Sequence, residues 1–272
     1  MRHSLADSIS DKTVLVVLAV IVITYFLFIA LPILSIFLKM EPSQISNQLR
    51  NADIIDAIEL SLTTSIIATL IALVLTVPTA YFVVTRDFHG KAFIDTIMDL
   101  PIVLPPAVAG VALLYTFAPK GLLGPVLNHF EIIIPGSTIA VVIAEAFVAS
   151  PFLFRSAKTG FENMDKDVYN SAKMLSGSRL RVFFKVTLPM CIRAVISGAM
   201  MTWARAMGEF GATLIFAGNI PSITQTMPLA IYSFLYYDPL GGIMLSIILV
   251  IISFTILITV KLLEQRRFGA KK

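Results

Sequence analysis

The stretches 13–38 and 60–85 (26 residues each), 100–119 (20) and 239–260 (22) each run without a charged side chain. No other feature constrains the fold as tightly. About 20 consecutive apolar residues in a helix cross the hydrocarbon core of a bilayer, and a backbone inside lipid has to satisfy its own hydrogen bonds. A core helix of a soluble protein would be shorter and would carry a polar stripe. The composition agrees, with 57% hydrophobic and 14% charged residues, against roughly 25% charged in an ordinary soluble domain. Two further runs are less clean. The stretch 137–155 is apolar up to Arg155 apart from Glu145, and 188–218 carries Arg193, Arg205 and Glu209.

These runs predict an all-α polytopic membrane protein. It has one transmembrane domain, 13–264, with six spans at about 13–38, 60–85, 94–118, 137–158, 188–217 and 239–263, a loop at 159–187 and terminal segments 1–12 and 265–272. The first run exceeds the ~7–15 residues of a signal-peptide core, and no small-residue cleavage site follows it, so it reads as a retained span. The single cysteine, Cys191, lies in an apolar context. It supports no disulfide framework and reads as a small buried hydrophobe.

The basic residues set the orientation. With the N-terminus inside, 16 Lys and Arg fall on the inner side and three (Lys39, Arg50 and Lys120) on the outer side, while Arg193 and Arg205 lie within the fifth span. Both termini and the 159–187 loop are therefore expected in the cytoplasm, with the protein multi-pass in the cell membrane. The net charge of +4 reflects topology and is no sign of nucleic-acid binding, which needs a basic face on a soluble module. The outer segment 39–59 fits short surface helices at 44–50 and 54–59, and 85–91 fits a tight basic hairpin. The outer loop 120–136, rich in Gly and Pro, fits a surface for an external partner.

Two places suggest a pathway through the spans. Pro101, Pro105 and Pro106 fall within six residues of the third span. Proline removes a backbone donor and clashes with the preceding turn, and irregular backbone at membrane depth is tolerated where it lines a cavity or packs on protein. A gate-adjacent break and a kink for packing are both open. In the fifth span Arg205 and Glu209 are four apart and so share a helix face, about 25 Å beyond Leu188 at ~1.5 Å per residue. Ionisable residues in spans pair and face the bundle interior. The pair reads either as part of a gate, together with Thr213, or as a packing pair. Gly208 and Gly211 suit close approach of another helix. Glu145 is a further acid inside a span.

The chain carries no nucleotide or metal motif. Gly90-Lys91-Ala92 lacks the upstream Gly and the Ser/Thr of a phosphate-binding loop, and His3, His89, His129 and Cys191 have no metal-ligand spacing. The chain itself is thus expected to be no enzyme and to hold no cofactor.

The 159–187 loop is too long, too basic and too helical in pattern for a connector. It contains Asn170-Ser171-Ala172-Lys173-Met174-Leu175-Ser176, then Val186-Thr187-Leu188-Pro189. It resembles the cytoplasmic coupling segment of ABC importer permeases, whose pattern is Glu-Ala-Ala, three residues, Gly, nine residues, an aliphatic residue, any residue, Leu-Pro. Asn170 stands for Glu and Ser176 for Gly. Trp203-Ala-Arg205-Ala-Met-Gly208-Glu209-Phe210-Gly211-Ala212-Thr213 and Phe216-Ala-Gly218-Asn219 look like the fifth span of the sulfate and molybdate/tungstate permeases. The run 100–110 and Thr224-Gln-Thr226-Met-Pro228-Leu229 lean toward the molybdate/tungstate branch. The resemblance covers about residues 60–264. It implies a type I importer permease for a tetrahedral oxyanion, molybdate or tungstate, with sulfate or thiosulfate as the alternative. It further implies a homodimer, an extracytoplasmic oxyanion-binding protein and a separate ATPase subunit that binds ATP. That ATPase would dock on a coupling site of Asp167, Asn170, Ser171, Ala172, Lys173, Ser176, Gly177, Ser178, Arg179, Leu188 and Pro189. Pro105, Pro106, Arg205, Glu209 and Thr213 become pathway candidates. An ion-gradient-driven transporter would show interrupted helices in both halves, and the sequence shows one interrupted span. A scaffold with no transport role leaves the prolines and the Arg205/Glu209 pair without a purpose.

Overall fold

The computed structural model describes residues 2–40, 45, 48, 50–176 and 178–268. All regular structure among them is helical. In chain order the helices are α1 (Arg2–Leu38), α2 (Ala52–Thr85), α3 (Lys91–Val103), α4 (Pro106–Phe117), α5 (Gly124–His129), α6 (Thr138–Glu162), α7 (Lys166–Ser176), α8 (Arg179–Met207), α9 (Gly211–Phe216), α10 (Met227–Tyr237) and α11 (Pro239–Phe268). Five are long and apolar enough to cross a membrane, and α3 with α4 makes a sixth if the pair counts as one span.

The bundle is organised around α6. It packs against α2 on one side and α8 on the other. The buried face of α2 is mostly small residues, among them Ala57, Ser61, Thr64, Ser65, Ala68, Thr69, Ala72 and Ala80. Small side chains let helix backbones approach where lipid removes any hydrophobic drive between helices. The hydroxyls do not go unsatisfied: those of Thr69 and Thr76 donate to the carbonyls of Ser65 and Ala72, each at 2.7 Å, the usual back-bond of Ser and Thr in helices. Ser137 caps α6, accepting from the Ala140 N–H at 3.3 Å.

Several expected boundaries move. Asn51 caps α2, so 54–59 forms the first turns of a long helix and no separate surface helix; most of the companion segment 44–50 lies outside the described residues. The third span is not a kinked rod: α3 and α4 meet at Leu104–Pro105 and differ in direction by 115°. The fifth does not run unbroken from 188 to 217. It begins at Arg179, passes through a π-turn at Phe183–Thr187, and stops at Met207. Pro189 offers no N–H to the carbonyl four residues back, which accounts for the widened turn just before it. After the stop come α9, an irregular segment and α10, a helix that the hydrophobic runs did not reveal.

α1 is unlike the rest. None of its most apolar stretch is buried, and among the described residues its one substantial neighbour is α11.

Candidate functional site

Two regions collect the residues of interest. The first is α7, which stands off the end of the bundle between α6 and α8. Asp165 starts it, its carboxylate accepting from the N–H groups of Asp167 (2.9 Å) and Val168 (3.2 Å), as an N-cap acid does. An aromatic knot ties the helix down. The Tyr169 hydroxyl lies 3.4 Å from that of Tyr81 on α2. The Tyr81 ring packs on Phe183 (centroids 4.8 Å apart) and edge-on to Phe161 (5.8 Å). One knot therefore joins α2, α6, α7 and α8, and a force on α7 reaches three spans.

The outward side of α7 carries Asp167, Asn170, Ser171 and Met174, with Leu175 next to it. All are exposed, Met174 by 87% and Leu175 by 89%, and Leu180 follows at 71%. Exposed apolar groups clustered among polar ones mark a contact surface. Ala172 is half-buried. Leu188 packs on the core beneath, and Pro189 is exposed. Ser176 closes the helix, while Gly177 lies outside the described residues. Lys173, which is four residues from Tyr169, is also exposed, as are Ser178 and Arg179, and the three line a cavity with Tyr81 and Tyr169.

The second region is where the two breaks meet. α4 packs on α9, so the half-helix after the proline break rests on the half-helix after the break at 208–210. The approach is close enough to require glycine on both sides. A Cβ at Gly211 would lie 2.8 Å from the Pro106 Cβ, and one at Gly110 would lie 2.8 Å from the Ala212 carbonyl oxygen. Gly208 has no such neighbour; it is the exposed cap of α8.

Glu209 holds the second break together. It is not on the helix face of Arg205, as unbroken spacing implies, but in the link after α8. Its carboxylate, 1% exposed, lies 2.7 Å from Arg205 Nη2 and accepts from the Ala212 N–H at 2.9 Å. A cation at the end of α8 and the Ala212 amide in the first turn of α9 thus share one buried acid, which suits the partial charges at both helix ends. Thr213 is buried in α9. Pro105 and Pro106 are exposed, as is Gly208, so the pathway candidates gather at one place with the two prolines facing outward.

Other polar pairings, that of Glu145 included, escaped sequence reading because the partners are distant in the chain. Glu145, fully buried on α6, accepts from the Thr64 hydroxyl on α2 at 3.0 Å. The Trp203 indole N–H donates to Ser65 at 2.9 Å, and Ser61 accepts from the Met227 N–H at 2.6 Å. At the α7 end, Lys158 pairs with Asp95 at 2.6 Å and Arg155 with Asp99 at 2.7 Å. The spacing of Asp95 and Asp99, four apart on α3, and of Arg155 and Lys158, three apart on α6, was the available signal for that ladder.

The model of the family described as "Binding-protein-dependent transport system inner membrane component" matches residues 77–269. The chain is 34% identical over 239 residues to the probable transport system permease protein NifC of Clostridium pasteurianum, covering 88% of this chain and 84% of that one. It is 35% identical over 241 residues to the molybdate/tungstate transport system permease protein WtpB of Pyrococcus furiosus, covering 88% and 90%. In fold it resembles a bacterial ABC transporter involved in the import of the acidic polysaccharide alginate, with TM-score 0.75 and 14% identity over 98% of this chain and 99% of that one. It also resembles the MetNI methionine ABC transporter, with TM-score 0.59 and 15% identity over 83% and 99%.

Proposed function

Because the chain belongs to the family of binding-protein-dependent transport system inner membrane components, we propose that it is the membrane-spanning subunit of an ATP-driven importer for molybdate or tungstate. An extracytoplasmic binding protein delivers the oxyanion. Two copies of the chain form the passage, and a separate ATPase subunit docks on the outward face of α7. Both termini and α7 lie in the cytoplasm.

The observation that carries this reading is the mechanical placement of α7. Its exposed Asn170, Ser171, Met174 and Leu175 offer a partner a surface, while the Tyr81–Phe161–Phe183 knot connects that surface to α2, α6 and α8. A partner that binds α7 differently in two states biases the whole bundle between two states, since a ligand shifts an equilibrium only by its differential affinity. Closure of the ATPase dimer thereby drives alternating access. The breaks at Leu104–Pro105 and 208–210 supply bends where spans yield. The relatives named for molybdate and tungstate support the cargo. Selectivity belongs to the binding protein, since Arg205, the cation farther along the fifth span than Arg193, is already engaged by Glu209.

The test is ATP hydrolysis by the chain with its ATPase and binding protein in proteoliposomes, with molybdate, tungstate or sulfate titrated outside. Stimulation by molybdate or tungstate where sulfate has no effect is expected. Stimulation by sulfate alone moves the chain to the sulfate branch, and no response to any of the three refutes the coupling.

A further inference from the structure

Lys173 on α7 and Arg179 at the start of α8 are exposed, and both border a cavity. With Tyr81, Tyr169, Ser178 and Val182 they line a space of about 200 Å³ between the end of α2, α7 and the start of α8. Among the described residues neither cation forms an ion pair. Of the nearby acids, Asp87 and Glu162 line a separate cavity beyond Tyr169, 3.8 Å from Lys91 and 3.9 Å from Lys158 respectively, and Asp165 caps α7. Arg86 adds positive potential at Tyr81. The two phenol oxygens are 3.4 Å apart. One phenol donates to the other, and the second O–H is left to point elsewhere.

Two cations facing one small cavity repel each other, so an arrangement without an acid is stable only when solvated or bridged by an anion. The donor set is that of an oxyanion site: a planar guanidinium fork, a compact ammonium and a phenol O–H. We propose that this cavity binds a single phosphate-type tetrahedral oxyanion through Lys173 and Arg179, and that the bound anion braces α7 against α2 and α8. The anion is either free in the cytoplasm or the headgroup of an anionic lipid. The consequence for coupling rests on α7 being the ATPase-docking helix; the binding itself does not.

The experiment is amide hydrogen exchange over 166–182 in the full chain, in lipid nanodiscs, with and without its ATPase. One arm uses neutral phosphatidylcholine with inorganic phosphate added against chloride at equal ionic strength. The other uses phosphatidylglycerol discs without phosphate. An anion at ten times its Kd lowers local opening by about tenfold, so exchange should slow by that factor. Slowing by phosphate in neutral discs identifies a free oxyanion, and slowing by phosphatidylglycerol alone identifies a headgroup. In either case Lys173→Gln/Arg179→Gln should abolish the effect while exchange in α6 stays as in the parent, and Lys173→Gln alone should weaken it. Equal slowing by chloride, no slowing in either arm, or an unchanged response in the double variant overturns the proposal. So does protection that appears only with the ATPase attached. Failure of ATPase docking would show as loss of copurification and leave the ATPase-free titration intact.

Discussion

At the residue scale, Glu209 joins two helix ends that the backbone leaves separate. Its neighbours make a specific prediction. Arg205→Ala removes the cation and leaves a fully buried carboxylate with one amide partner. Breaking a buried pair costs 3–5 kcal/mol; Arg205 is 30% exposed, so a loss of about 3 kcal/mol is expected in thermal unfolding. Adding Glu209→Gln removes the stranded charge and should recover part of it. If the double variant is less stable than Arg205→Ala, the pair is not what holds the break. Gly110 makes the matching steric case. A side chain there meets the Ala212 carbonyl, a backbone atom that cannot swing away, so Gly110→Val should cost about 1–3 kcal/mol and separate α4 from α9.

At the element scale, α3 is the loosely held piece. It has no buried residue. Ile94 and Met98 rest partly on the core, and the Asp95–Lys158 and Asp99–Arg155 pairs complete the attachment. These pairs are half-exposed, so each is worth no more than about 1 kcal/mol and weakens with salt. Asp95→Lys should therefore leave global stability nearly unchanged while raising amide exchange along 91–103, and Asp95→Lys/Lys158→Asp should restore protection. Persistent fast exchange in the swapped pair would show that the ladder does not position α3. The same reasoning separates α3 from α6, whose attachment is tight small-residue packing that salt does not touch.

At the scale of the whole molecule, the proposed orientation puts α7 and α5 on opposite sides of the membrane. Asn170→Cys should react with an impermeant maleimide only in inverted vesicles, and Leu122→Cys, at an 82% exposed position, only from outside. Labelling of both from one side would overturn the topology. The apolar runs, the proline cluster and the helical loop between the fourth and fifth spans were legible in the sequence, because each depends on residues adjacent in the chain. Crossing a membrane demands length and apolarity, and Pro101, Pro105 and Pro106 break a helix wherever they stand. The stop at Met207 was not legible. Gly208 and Phe210 do not forbid a helix, and what ends it is the Glu209 carboxylate capping α9 and the contact of Gly211 with Pro106, about a hundred residues earlier in the chain. Nor did spacing show that Lys173 shares a cavity with Tyr81, since that depends on Tyr169 meeting Tyr81, 88 positions away. Local chemistry determined which long segments are apolar enough to cross a membrane; only tertiary packing decided where they break and which side chains of α7 stay exposed, because those outcomes depend on atoms brought together from distant parts of the chain.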